Sequence, residues 1–203
     1  MKIHVRLVAS MLALGGALMS SAPVRAYQQE LTSEAIREAF FLGSRNDEIT
    51  ADFWNHYERV FLSRSTTLHV GAVEVLTPYA QVVFAAQHHM ADENAVDAVQ
   101  KYASRNLPFI VRVTIYYPTD SLSQDYDVKT QSHVAVSQGH VLKPQKTTWH
   151  PVTVSNGKSR SAPGVTVEQE FDPDQVSSGD LTIRVTFLDR GHFETTFDLA
   201  HMK

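Results

Sequence analysis

Alternation of apolar and polar residues, which begins after Pro108, is the feature that most constrains the fold of this chain. In the run 109–117 (FIVRVTIYY) every second residue is apolar, and Arg112 and Thr114 fall between the apolar positions. Successive side chains of a strand point to opposite faces, so this run predicts a strand with one buried face. Similar short runs follow at 132–137, 140–142, 152–154, 165–171, 181–188 and 192–199.

Turn-forming residues separate these runs, at Gln138-Gly139, Asn156-Gly157, Asp172-Pro173 and Asp189-Arg190-Gly191. Short strands with frequent turns are typical of a sandwich or a partly open barrel. The predicted fold class is therefore α+β: an N-terminal helical hairpin plus an antiparallel, immunoglobulin-like β-sandwich with a two-helix insertion.

The last two runs predict a hairpin with a defined register. If residues 189–191 form a three-residue loop with Gly191 in the left-handed region, Val185 pairs with Thr195 and Ile183 pairs with Phe197. One face of the hairpin is then largely apolar. The other face pairs Arg184 with Thr196.

Two helices are predicted ahead of the sheets, over residues 31–43 and 49–62. Thr32 and Thr50 are the expected N-caps, and Gly43 is expected in the left-handed position after the first helix. A polar loop joins the two segments, which indicates a helical hairpin packed on the main body.

Hydrophobic staples are expected at both helix starts, Leu31 with Ile36 and Ile49 with Trp54. After a strand at 67–75, Thr77-Pro78 predicts the start of a third helix, because proline is tolerated at the first helical position. A fourth helix is expected over 92–104, capped by Asp92.

The N-terminus has the organisation of a secretory signal peptide. Lys2 and Arg6 precede an uncharged apolar run at 7–19, and Val24 and Ala26 occupy the small-residue positions of a cleavage site. The apolar run is shorter than the roughly 20 residues that span a bilayer. We therefore expect cleavage after Ala26 and a periplasmic or secreted location, with no membrane span after cleavage.

The composition agrees with export from a bacterium. The chain has no cysteine and no Asn-x-Ser/Thr sequon, so neither disulfides nor N-linked glycans are expected. A net charge of −4 gives no electrostatic reason to expect a nucleic acid as partner. The predicted domains are a signal peptide at 1–26, a helical hairpin at 27–65 and a β-sandwich at 66–203 with a helical insertion at about 77–105.

Histidine is the one functional residue type that is enriched, with ten in the chain. The hypothesis is a copper or zinc site centred on His88-His89-Met90, with His201-Met202 as a further candidate. Adjacent helical residues point about 100° apart, which disfavours chelation of one ion by both His88 and His89. The other histidines after the leader are His56, His69, His133, His140, His150 and His192.

Three further groups of residues are candidate sites. Asp172, Asp174 and Asp180 suit calcium by residue type, but a proline turn explains them better. Glu168 and Glu170 alternate on one strand face at about 6.6 Å, within the range of glycosidase carboxylates. Four aromatic residues either line a groove or complete the core: Tyr116, Tyr117, Tyr126 and Trp149.

The sequence contains no GxSxG, HExxH, GxGxxG, P-loop or EF-hand motif. The expected function is that of a non-enzymatic envelope module that binds a protein or a glycan and needs no cofactor. A histidine-based periplasmic metal-binding protein and an unrecognised hydrolase are the alternatives.

Overall fold

The computed structural model describes residues 31–61, 68–88, 94–117, 128–155, 161–188 and 191–203. Within these ranges there are five α-helices and eight strands. The helices are α1 Ser33–Arg45, α2 Glu48–Tyr57, α3 Pro78–His88, α4 Ala95–Tyr102 and α5 Val128–Gln131. The strands are β1 Glu58–Val60, β2 His69–Leu76, β3 Phe109–Tyr116, β4 Ser132–Ser137, β5 Lys146–Ser155, β6 Ser161–Phe171, β7 Asp180–Phe187 and β8 Gly191–Asp198.

The strands form two antiparallel sheets. The larger sheet has the order β1-β2-β3-β6-β5, and the smaller has the order β4-β7-β8. With the helices, this confirms the predicted α+β class and the pair of antiparallel sheets. The immunoglobulin-like detail of the prediction is not confirmed by this strand order.

The core lies between the inner faces of the two sheets. Val111 and Val113 of β3 are fully buried there, as are Ile183 and Val185 of β7. Arg112 lies between the buried positions and faces away from the core, as the alternation predicts. Burying each such aliphatic side chain stabilises the fold by about 1.5–3 kcal/mol.

The register of the last hairpin differs from the prediction by two residues. Val185 pairs with Phe193 and Ile183 with Thr195, while Arg184 lies opposite Glu194 and forms an ion pair of 2.6 Å with it. The reason is that Gly191, with φ +86°, begins β8 opposite Phe187 instead of ending the loop. A shift of two leaves every side chain on its predicted face.

The helix α1 begins as predicted and ends later. Thr32 caps it by accepting a hydrogen bond from the Ala35 amide at 3.1 Å. Gly43 is not the terminal residue, because α1 continues to Arg45 and Asn46 takes the left-handed conformation with φ +48°. The lack of a side chain at Gly43 serves helix packing instead, because a Cβ there would lie 2.2 Å from the Val83 carbonyl oxygen.

The predicted helix over 49–62 is wrong at both ends. Asp47 caps α2 by accepting from the amides of Ile49 and Thr50, and the Thr50 hydroxyl instead donates to the Leu42 carbonyl oxygen. Ile49 is 51% exposed, so it forms no staple with Trp54. Residues 58–60 are the edge strand β1, because pairing with β2 satisfies their backbone groups.

The insertion between β2 and β3 also differs from the prediction in detail. Thr77 accepts from the Ala80 amide at the start of α3, which confirms the helix that opens at Pro78. Asn94, not Asp92, caps α4, and Asp92 lies outside the described residues. Two strands after β3 also differ in extent from the prediction. The strand expected at 152–154 is β5, which extends from Lys146 to Ser155. The expected strand at 140–142 is reduced to one bridge between Val141 and Ser137.

The helices build a second apolar cluster beside the sandwich. Ile36 and Phe40 of α1, Val83 of α3 and Ala98 of α4 are buried in it. Trp54 of α2 contacts both this cluster and the core between the sheets. In the described part of the chain, no helix has the length and apolar character required to cross a membrane. The signal-peptide residues lie outside the described ranges, so export stays a prediction.

We expect Gly43→Ala to destabilise the protein by about 1–3 kcal/mol, because the new methyl group overlaps the α3 backbone. In an unconstrained helix the same change would stabilise by about 1 kcal/mol. Ser44→Ala is the matched control, because the buried Ser44 hydroxyl oxygen has no hydrogen-bond partner in the described structure. Urea unfolding should show a loss of stability for Gly43→Ala only. A gain of stability in both variants would contradict the close packing of α1 on α3.

Phe197→Asp should lower the free energy of unfolding by on the order of 3 kcal/mol or more, because it removes a fully buried ring and places a carboxylate in the core. The Arg59 guanidinium above the ring compensates only part of the cost. Phe197 has no exposed surface, whereas Leu188, which is 76% exposed, gives the control Leu188→Asp. Thermal melts compare the two. A Phe197→Asp protein that melts within a degree or two of the parent contradicts the assigned core face.

Candidate functional site: an acidic cleft with aromatic walls

Four charged residues form a row across the outer face of the larger sheet. Register places Glu58 opposite Glu74, Glu74 opposite Arg112, and Arg112 opposite Glu168. Because cross-strand partners share a face, all four side chains lie on the side of the sheet away from the core. The row thus contains three carboxylates and one guanidinium group, and Arg112 lies between Glu74 and Glu168.

Arg112 is shared unequally among the carboxylates. Its Nε lies 2.7 Å from Glu168 Oε2, whereas its Nη1 lies 3.8 Å from Glu74 Oε2. Glu168 therefore takes the close ion pair. The Glu58 end of the row keeps an excess of negative charge, because like charges face each other directly between β1 and β2.

The excess charge borders a cavity of about 170 Å³ between the sheet and the helices. We call this cavity the Glu74 cleft. Its lining combines aromatic rings from α2 and α3 with carboxylates from β1 and β2: Trp54, Tyr57, Glu58, Glu74, Leu76, Phe84, Gln87 and His88.

A chain of side-chain hydrogen bonds holds the wall of the Glu74 cleft. Trp54 Nε1 donates to Gln87 Oε1 at 2.9 Å, and Gln87 Nε2 donates to Asn46 Oδ1 at 3.0 Å. His88 stacks on the Phe84 ring with a centroid distance of 4.1 Å. The rings are therefore positioned by bonds among α1, α2 and α3, so little order has to be gained when a ligand binds.

Tyr57 is held at the base of the Glu74 cleft. Its hydroxyl donates to the Lys203 backbone oxygen at 2.9 Å, to which the Thr77 hydroxyl also donates at 2.6 Å. Burial raises the pKa of Tyr57 to about 12. The phenol therefore stays protonated near neutral pH and acts as a fixed apolar surface.

Burial raises the pKa of Glu74 above its ordinary value. Nearby Arg112 acts in the opposite direction, and the charges of Glu58 and Glu168 raise the pKa further. A cation that approaches this carboxyl group stabilises its ionised form, which burial disfavours.

The Phe84 ring already interacts with a cation, because the Arg112 guanidinium carbon lies 5.7 Å from its centroid and His88 stacks on it. Trp54 is therefore the aromatic ring left for a further cation. The geometry suits an ammonium or guanidinium group.

The proposed histidine metal site is not assembled by the described residues. His88 Nδ1 lies 2.8 Å from the Phe84 carbonyl oxygen, and His89 and Met90 lie outside the described ranges. His201 pairs with Asp198 on the surface, while Met202 is buried in the core. Within the described ranges, no three His, Cys, Asp or Glu side chains are grouped as a metal ion would require.

The acidic candidates have structural partners. Asp172 accepts from the Asp174 amide at 3.0 Å in a 3₁₀ turn, which confirms the proline-turn interpretation. Glu168 pairs with Arg112, and Glu170 lies 2.7 Å from Lys146 Nζ. Both carboxylates considered as a glycosidase pair are thus engaged in ion pairs.

The aromatic candidates do not form one groove. Tyr116 lies close to Gly71 and Gly164, where a Cβ would overlap its ring, and Tyr117 packs against the core. Trp149 packs against the core from β5, and Tyr126 lies outside the described residues.

Two more cavities are formed by described residues. One lies between α1 and α2 and includes Glu38, Asp52 and His56. The other lies between β4 and β5 and includes Ser132 and His133. None of the three cavities combines a histidine, a carboxylate and a serine. The hydrolase alternative thus gains no support from them.

Comparison of the chain with protein-family models, curated proteins and solved structures finds no match. The function is therefore inferred from the geometry of the molecule itself.

Sequence reasoning missed the Glu74 cleft. The alternation in β2 indicates that Glu74 faces away from the core, and the same pattern correctly placed Arg112. The helix predicted over 49–62 includes Glu58, however, and a helix there gives no indication that Glu58 lies opposite Glu74. Trp54 is predicted to form a hydrophobic staple with Ile49, which gives no indication of a ligand-facing ring.

The substitution Glu74→Gln tests the electrostatics of the cleft. Because folding raises the pKa of Glu74, ionisation of this carboxyl destabilises the folded state as the pH rises through the folded pKa. The melting temperature of Glu74→Gln minus that of the parent should therefore be larger near pH 7 than near pH 4, where Glu74 is protonated.

The substitution Asp47→Asn tests a carboxyl group whose pKa is shifted in the opposite direction. The side-chain hydrogen bond from Arg45 lowers the pKa of Asp47, so its ionised form stabilises the fold, and this contribution is lost as the pH falls through the folded pKa. Asp47→Asn should melt below the parent near pH 7, with a smaller difference near pH 3. Equal pH trends in both variants would contradict the environment assigned to Glu74.

Proposed function

We propose that this chain is an exported, non-enzymatic binding module of the bacterial envelope, periplasmic or secreted, which holds a lysine or arginine side chain of a partner protein in the Glu74 cleft. The export part of the proposal depends on the N-terminal sequence pattern. The recognition part depends on the geometry of the cleft.

The observation that carries the proposal is the direct opposition of Glu58 and Glu74 beside the rings of Trp54 and Phe84. Like charges at opposed positions destabilise a sheet, and Arg112 compensates Glu168 more closely than either of them. A cation in the cleft would neutralise this pair beside the Trp54 ring, while Phe84 keeps its existing contacts with Arg112 and His88.

A partner protein is a better fit than a free cation. Side-chain recognition by a small cleft leaves the surrounding surface available for further contacts, and aromatic residues are typical anchors of protein interfaces. Glycan binding, histidine-based metal binding and hydrolysis stay predictions, and no contact in the described structure favours one of them.

Titration with a capped Gly-Lys-Gly tripeptide tests the proposal, followed by NMR of the Trp54 indole N–H. The signal is assigned with Trp54→Phe. We expect millimolar binding of the lysine peptide and binding at least about tenfold weaker for the same peptide with norleucine, which keeps the alkyl chain and removes the charge.

Glu58→Gln and Glu74→Gln should each weaken lysine-peptide binding, by about fivefold to tenfold. Glu170→Gln is the matched control, because Glu170 lies on the same sheet face but pairs with Lys146 outside the cleft. Binding should also weaken as the pH falls through the folded pKa of Glu74. Equal binding of the lysine and norleucine peptides would refute the proposal.

A further inference from the structure

The two sheets have unequal widths, and this leaves an opening at one side of the sandwich. β5 is an edge strand of the five-stranded sheet, and β4 is an edge strand of the three-stranded sheet. Thr147 and Trp149 of β5 pair with Gln169 and Val167 of β6, so they share the inner face. Thr147 is nevertheless exposed and Trp149 is half-buried, because the narrower sheet does not cover them.

A cavity of about 340 Å³ occupies this opening, within the size range of small-molecule sites. We call it the Gln169 cleft. Its lining is mainly apolar and includes Val134, Leu142, Pro144, Trp149 and Val167.

Gln169 is the polar group at the inner wall of the cleft. It is 7% exposed, and its Nε2 donates to the Val134 carbonyl oxygen of β4 at 3.2 Å. Its Oε1 is buried and receives no hydrogen bond from the described residues. An unpaired buried acceptor costs free energy, which a ligand that supplies an N–H or O–H recovers.

The strand edges at the opening are poor templates for an added peptide strand. The Val134 carbonyl is occupied by Gln169, and the Val136 carbonyl accepts from the Leu142 amide at 2.8 Å. Pro151 has no N–H, and proline on an edge strand disfavours further pairing. A small molecule therefore fits the cleft better than an extended segment of protein.

We propose that the Gln169 cleft binds a small, mainly apolar aromatic molecule that donates one hydrogen bond to Gln169 Oε1. The ring lies against Trp149, Val134 and Val167. Because Oε1 has almost no accessible surface in the ligand-free molecule, a small rotation of the Gln169 side chain brings it to the N–H or O–H group of the ligand. This site is separate from the Glu74 cleft, and it stands independently of the function proposed there.

Indole and N-methylindole form a matched pair of probes, because they have the same ring and differ in the hydrogen-bond donor. The chain has two tryptophans, so NMR of the indole N–H signals separates the two clefts within one titration. We expect indole to shift the Trp149 signal and not the Trp54 signal. N-methylindole should bind about tenfold more weakly.

Gln169→Leu and Gln169→Met should abolish the difference between the two probes, because both remove the acceptor and keep an apolar wall. Gln138→Leu is the control, since Gln138 bonds to Ser177 on the surface. If one Gln169 variant fails to fold, the other separates loss of the hydrogen bond from the bulk of the methyl group that N-methylindole adds. Equal binding of indole and N-methylindole to the parent, or no Trp149 shift near the solubility limit of indole, overturns the proposal.

Discussion

The apolar contact between two antiparallel sheets of unequal width is the interaction on which the rest of this structure depends. Fully buried residues of β3 and β7 meet across it, and their alternation forces every second side chain outward. Both candidate sites follow from this contact. The outward positions of β2 and β3 place Glu74 and Arg112 together, and the missing coverage over β5 creates the Gln169 cleft.

The helices convert a polar sheet face into an enclosed site. α2 leads directly into β1, so Trp54 and Glu58 arrive at the Glu74 cleft from one continuous segment. α3 supplies Phe84 and Gln87 from the opposite side, and Asn46 at the end of α1 closes the hydrogen-bond chain. The site thus depends on three helices and two strands.

The errors of sequence reasoning have a common physical origin. Residues 49–62 have a helical period, yet the chain leaves the helix after Tyr57 because backbone pairing with β2 outweighs the intrinsic preference. Gly43 resembles a helix terminus, but contact with Val83 explains why it lacks a side chain. The hairpin register differs from the prediction by two residues because Gly191 pairs with Phe187. A shift of two keeps every side chain on the same face, so the alternation of apolar and polar residues does not distinguish the two registers.

The sequence by itself determined the α+β class, the strands with clear alternation, the Thr32 cap and the outward direction of Arg112. These features are local, since a period or a cap depends on residues a few positions apart. The tertiary structure alone decided that Glu58 faces Glu74, that Trp54 and Phe84 flank them, and that Gln169 keeps an unpaired acceptor beneath an open edge. Those features join residues far apart in the chain, and their positions depend on strand order and sheet width, which no local pattern specifies.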